Sequence, residues 1–238
     1  AGLSAFASWQ AVAQLAALLA AVWYAHRTAP WSLAAVRLRP TLAFAARAFP
    51  TGAAILAGIG SWRLGLLVLA AAGPGAAVDA GWYAAAHRVL EAARFLPGAA
   101  AAALFPGFAR RGATRELALA LALGVPCAAA AAALGASPFG GAALTLAFGP
   151  AYAGAHGVLR PLLWACPFLS ANAFLTFWLI ARGHAKLNAA LSLVHLFVHA
   201  GALALLVPRY GAVGAAWALA AAETALCAAL SLAVLRSR

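Results

Sequence analysis

The 238-residue chain is 66% hydrophobic and only 8% charged, yet it carries a formal net charge of +12. A water-soluble domain holds roughly 25% charged residues, so this composition excludes an ordinary soluble fold and calls for a bilayer as solvent. A basic excess in a soluble chain would suggest nucleic acid; here the arginines gather at the ends of apolar runs, where they orient helices and meet anionic lipid headgroups, and no nucleic-acid partner is expected.

Seven apolar runs are each long enough to cross a bilayer as a helix, for which ~20 residues suffice. They lie at about 2–24, 43–72, 83–109, 116–136, 154–181, 187–207 and 211–235. The fold class expected is therefore all-α integral membrane. The chain begins inside an apolar run, so the sequence reads as part of a longer protein. Residues 1–24 would be the last helix before a lobe, 25–42 a cytoplasmic linker, and 43–238 a six-helix transmembrane lobe. In the linker, Trp31, Leu33 and Val36 beside Arg37 and Arg39 fit either a basic tether or a short interfacial helix. Breakers mark the later turns: Gly73-Pro74-Gly75, Ser137-Pro138, Arg182-Gly183 and Pro208-Arg209-Tyr210-Gly211. The uncharged, glycine-rich stretch 138–153 reads as a short interfacial or re-entrant piece. Prolines 50, 97, 106, 126 and 167 fall inside runs and each removes a helical hydrogen bond.

Charge asymmetry gives an orientation. Eleven basic residues (Arg27, Arg37, Arg39, Arg47, Arg110, Arg111, Arg115, Arg182, Lys186, Arg236 and Arg238) fall on one side of the expected topology, and two, Arg160 and Arg209, on the other. The positive-inside rule places the first set in the cytoplasm, the N-terminus outside and the C-terminus inside. The excess of alanine, and of arginine over lysine, points to a GC-rich bacterial genome. The inner membrane is the expected location.

Three arginines remain at membrane depth, where an ionisable group is costly and marks a functional hypothesis. Arg63 sits mid-span with no acid near it in sequence, so it should either be expelled or line an aqueous path. The third run holds His87, Arg88, Glu91 and Arg94. Positions 87, 91 and 94 share a helical face, as do 88 and 91, so Glu91 has three candidate partners. These residues read either as the wall of a water-filled cavity or as a structural ion pair. Arginine suits phosphate, because its planar donor fork matches phosphate oxygens.

The sixth run carries Asn188, Ser192, His195 and His199 on one stripe, readable as a helix–helix seam or as cavity lining. His195 and His199 have a zinc-pair spacing, but no third ligand accompanies them, and no metal is expected. Asn172 and Thr176 in the fifth run are open to the same two readings. Glu223, alone in the last run, would pair with a cation or serve as a coupling site. Cys127, Cys166 and Cys227 lie in apolar runs without ligand spacing. No nucleophile elbow, phosphate loop or pair of catalytic carboxylates is present, and the sole aspartate, Asp79, falls in a loop. Neither an enzyme nor a cofactor is expected.

From about residue 38 the chain resembles the oligosaccharide flippases of the polysaccharide biosynthesis protein family, within the multidrug/oligosaccharidyl-lipid/polysaccharide exporter superfamily. The resemblance rests on residues 80–88, Ala-Gly-Trp-Tyr-Ala-Ala-Ala-His-Arg, then Leu104-Phe105-Pro106, Phe148-Gly149-Pro150-Ala151-Tyr152, Val158-Leu159-Arg160, and Val207-Pro208-Arg209-Tyr210-Gly211-Ala212-Val213-Gly214-Ala215-Ala216. It implies the C-terminal of two lobes around a cavity that opens alternately to each side, with an N-terminal lobe missing from this chain. It also implies a lipid-linked oligosaccharide on an undecaprenyl pyrophosphate carrier as substrate. Arg63, Arg88, Glu91, Arg94, Asn172, His195 and His199 would line the cavity, with Glu223 as a coupling residue. The chain departs from the family at Gly65, after Trp62-Arg63-Leu64, where members often carry an aspartate. Two rival expectations are a cation-coupled small-molecule exporter of the same superfamily and a non-transporting membrane scaffold.

Overall fold

A computed structural model describes residues 3–28, 37–110 and 114–236. Among these the only secondary structure is helical: α1 (Leu3–Thr28), α2 (Leu38–Ala71), α3 (Ala77–Phe108), α4 (Thr114–Ala136), α5 (Pro138–Phe148), α6 (Ala155–Trp164), α7 (Cys166–Ala181) and α8 (Ala185–Arg236), with two short 3-10 turns before α3 and α6. The chain divides into two compact units, Ala1–Arg47 and Ala48–Arg238. In the first, every side chain described along α1 is exposed, Trp9, Leu15, Leu19 and Trp23 among them. The interfacial segment expected at 31–36 lies outside the described residues.

Among the described residues, α2, α3, α4 and α8 are long and apolar enough to cross a membrane, and the bent pair α6–α7 makes a fifth if counted as one span. Seven such helices were expected. Part of the difference is α8, whose 52 residues contain both of the last two expected runs. A helix of that length would reach about 78 Å, over twice the ~30 Å hydrocarbon core. Gly211, at φ 54° and ψ −133°, breaks it into two arms. The expected 154–181 run is likewise divided at Ala165, just before Cys166-Pro167, with a bend of about 40°. Proline has no N–H to continue a helix, which accounts for a new one starting there.

The turns follow from backbone chemistry. At the end of α7, Gly183 adopts φ 84°, and its N–H donates to the Ile180 carbonyl while the His184 N–H donates to Leu179, the pairing of a Schellman cap. Ser137 is extended and Pro138 opens α5. The 138–153 stretch forms α5, whose Phe139 and Leu146 stay exposed, followed by a turn tied down by the Trp82 indole N–H, 3.1 Å from the Ala151 carbonyl.

In the second unit α7 packs on α3, α4 and α8, while α6 packs on α3, α4 and α8. One hydrophobic cluster joins Leu69, Tyr83, Leu90, Leu159, Leu162, Leu203 and Leu219, and another joins Phe108, Leu117, Phe174, Trp178 and Leu230. α2 buries Ala54, Ala57, Ser61, Gly65 and Leu69, a narrow stripe of mostly small residues at helical spacing.

Asp79 is not in a loop as expected. α3 begins at Ala77, which places Asp79 in its first turn. Its carboxylate accepts the Ala212 N–H at 3.1 Å and so caps the start of the second arm of α8 across 133 residues of sequence. A negative charge there also complements the positive end of the helix dipole. A Cβ at Gly211 would run into the same carboxylate. Replacing Asp79 with alanine should therefore cost ~1 kcal/mol, as for loss of an N-cap. Gly211→Ala should cost more, since it meets both a left-handed φ and a clash. Thermal unfolding of purified variants in detergent measures both, and two unchanged midpoints would refute the cap.

Candidate functional site: a cationic face over a buried polar seam

Seven side chains from two helices form the first group. α2 contributes Trp62 and Arg63. α3 contributes Tyr83, His87, Arg88, Glu91 and Arg94, since residues three or four apart share a helix face. Glu91 is the hub. Its Oε2 accepts from Arg88 Nη1 at 2.6 Å, and its Oε1 accepts from the Trp62 indole N–H at 3.0 Å. Arg63 Nη1 approaches Oε1 at 3.4 Å, and His87 Nδ1 lies 3.9 Å away. The Arg94 guanidinium sits 4.1 Å above the Trp62 ring, whose other neighbour is the His87 imidazole, 4.3 Å away between centroids.

Burial grades across this group. The His87 side chain is 8% exposed and Glu91 23%, whereas Arg63 is 50% and Arg88 65% exposed. The polar base is held inside the bundle and the guanidiniums end at its surface. Trp62, Arg63, Leu66, Tyr83, Ala84, His87 and Arg88 line a small open cleft of about 40 Å³, above the ~10–15 Å³ that a site needs to hold one water. In the described residues the arginines thus make a face rather than a closed chamber. Two guanidiniums share one carboxylate and a third, Arg94, is stacked on Trp62, so the face keeps a net positive charge. Exposed pairs of this kind contribute only ~0.2–1 kcal/mol each, and the Arg94–Trp62 stacking adds a similar amount.

The reading of Arg63 as a cation without an acid is corrected here. No acid is near it in sequence, but α3 brings Glu91 to it across the helix interface. Gly65 also gains a reason. The Tyr83 hydroxyl would stand 2.5 Å from a Cβ at that position, so the tyrosine ring fills the room a larger residue would need. The Tyr83 hydroxyl itself has no hydrogen-bond partner among the described residues.

The second group is a seam inside the bundle. Asn172 of α7 donates from Nδ2 to Glu223 Oε2 at 2.8 Å and to the Glu223 carbonyl at 3.0 Å. His195 Nε2, on the first arm of α8, lies 3.4 Å from Glu223 Oε1 on the second arm, without hydrogen-bond geometry. His199, one turn further on, has its Nδ1 2.9 Å from Ser61 Oγ of α2. Asn172, His195, His199 and Glu223 are 6%, 7%, 0% and 5% exposed, so they do not line the surface cleft. Asn188 is buried on the same stripe, Ser192 is half-buried and bonds the Asn188 carbonyl, and Thr176 is half-buried. The seam binds α2, α7 and both arms of α8 by polar contacts where an apolar core would offer none. Among the described residues no group of three His, Cys, Asp or Glu is placed to hold a metal ion.

Three members, Trp62, Tyr83 and Ser61, escaped sequence reasoning, and Tyr83 stood in the sequence only as part of the 80–88 motif. Trp62 is both donor to Glu91 and platform for Arg94, and its position beside Arg63 was the one available signal. Ser61, the partner of His199, gave none, since a lone serine in an apolar helix is common. No protein-family model matches this chain, nor does any curated protein or solved structure.

The seam makes a stability prediction. Glu223→Ala removes the carboxylate that Asn172 donates to, leaving Asn172 only the backbone carbonyl of residue 223 and His195 without its charged neighbour, and Ser61→Ala removes the hydrogen-bond partner of His199. Each should cost about 1–3 kcal/mol, the penalty of a buried polar group left unsatisfied. Thermal unfolding in detergent reads this, and wild-type stability in both variants would show that the seam does not hold the helices together.

Proposed function

We propose that this chain is the C-terminal lobe of a multi-pass transporter that moves a lipid-linked oligosaccharide, carried on an undecaprenyl-type diphosphate, across a bacterial inner membrane. The observation that carries this reading is the gathering of Arg63 and Arg88 on one carboxylate, with Arg94 stacked on Trp62 beside them, at the surface of the bundle. A polar headgroup crossing bare hydrocarbon would lose several kcal/mol for each unsatisfied group. A wet, cationic face opposite a second lobe removes most of that cost, while the lipid tail stays in the bilayer. The guanidinium fork fits the diphosphate oxygens. The two arms of α8, the bent pair α6–α7 and α1 then supply the crossings that bring the count to seven, with the N-terminus outside and the C-terminus cytoplasmic. The resemblance noted in the sequence supports the same assignment.

A second reading, a cation-coupled exporter of the same superfamily, is favoured by one observation: the buried carboxylate of Glu223 beside His195 and Asn172. The two readings differ in the sign of the surface they need. A small cationic cargo requires an acidic cavity, whereas the open face here is basic.

The test is Arg63→Ala combined with Arg88→Ala in the full-length protein, in cells whose surface polysaccharide depends on it. Surface glycan should fall at least tenfold while the protein stays at its normal level in the membrane. Unchanged glycan at normal protein level would overturn the proposal.

A further inference from the structure

We propose that Glu91 is an internal counter-anion: a carboxylate that holds the arginines of the open face while no ligand is present and yields them to an incoming diphosphate. This inference rests on the reading of that face as a diphosphate site and assigns a role within it.

The two oxygens of Glu91 are held differently. Among the described residues Oε2 is bound only by Arg88, whose side chain is 65% exposed. Oε1 is bound by the half-buried Trp62 indole and touched at longer range by Arg63. If both guanidiniums turned outward, Glu91 would keep the Trp62 hydrogen bond and its neighbour His87, and would not be stranded. The arginines have the opposite freedom. Their heads are half or more in the open, they arrive from two different helices, and an exposed ion pair is weak enough to exchange. A diphosphate offers two adjoining groups, each able to take a guanidinium bidentately, which a single carboxylate shared by two arginines cannot match. Arg94, stacked on Trp62, stays in place and adds its charge to the ligand's surroundings.

A carboxylate so placed does two things. It keeps mid-helix arginines paired when the ligand has left, where isolated charges would be costly. It also competes with the ligand, so binding is weaker than the arginines alone would give and release is easier. Removing the competing charge should therefore tighten binding, which is the reverse of what loss of an ordinary binding residue does.

The experiment uses the full-length protein in lipid nanodiscs, titrated calorimetrically with inorganic pyrophosphate and with farnesyl diphosphate. The ratio of the two wild-type affinities distinguishes a lipid headgroup from a free anion. Glu91→Gln, which retains an acceptor for Trp62, should bind both ligands about threefold or more tighter, the loss of one exposed pair. Trp62→Phe, which keeps a ring under Arg94 but removes the indole donor, should bind both more weakly, because Glu91 then depends more on the arginines. Unchanged or weaker binding by a folded Glu91→Gln protein overturns the inference, as does a gain confined to farnesyl diphosphate. If Glu91→Gln does not fold, Trp62→Phe decides, and an affinity equal to wild type overturns it. Failure of the wild type to bind either ligand, or undiminished binding by Arg63→Ala with Arg88→Ala, defeats the diphosphate site itself, a result distinct from failure of the Glu91 exchange.

Discussion

In a chain this apolar, every polar side chain within a helix must find a partner or a route to water, because hydrocarbon offers neither. That constraint organises the second unit. Four acidic residues serve the entire sequence, and three of them join separate elements. Asp79 of α3 caps the second arm of α8. Glu91 of α3 gathers Trp62 and Arg63 of α2. Glu223 meets Asn172 of α7 and His195 of the first arm of α8. Scarce carboxylates act as junctions between helices that apolar contacts alone would leave free to slide.

Packing around these junctions depends on small residues. Alanine and glycine dominate the buried stripe of α2, and larger side chains of neighbouring helices fill the space they leave. Tyr83 against Gly65 and Leu196 against Gly60 are two such fits. Contact of this kind, a side chain against a glycine, gives membrane helices the van der Waals packing that a hydrophobic driving force cannot provide inside lipid. Ser61 reaches His199 and Trp62 reaches Glu91 across the same helix contacts, so apolar fit and polar pairing occur together.

The two polar groups differ in what surrounds them, and this separates their roles. The seam of Ser61, Asn172, His195, His199 and Glu223 is almost wholly buried and ties four helical segments together. The arginine group begins buried at His87 and ends exposed at Arg63 and Arg88. Ser61 and Trp62 are neighbours on α2, so one short stretch of that helix anchors the interior on one side and presents the cationic face on the other. A buried base thus lies beneath exposed guanidiniums.

The sequence by itself determined that the chain is helical and apolar at membrane scale, where its turns fall at Gly73, Ser137 and Gly183, and which few residues bear charge inside apolar runs. Run length, hydropathy and the backbone limits of glycine and proline are local properties, so they are readable along the chain. Even the Arg88–Glu91 pair was legible, because three residues is one helical turn. Only the tertiary structure decided the rest. Arg63 is paired with an acid twenty-eight positions away, Asp79 caps a helix at the far end of the chain, Trp62 and Ser61 join the two polar groups, and Asn172, His195 and His199 turn inward to the seam rather than to the open face. Each depends on which helix lies beside which, and with an amphipathic signal this weak, a nearly uniform run of alanine and leucine does not state which of its faces will meet a neighbour.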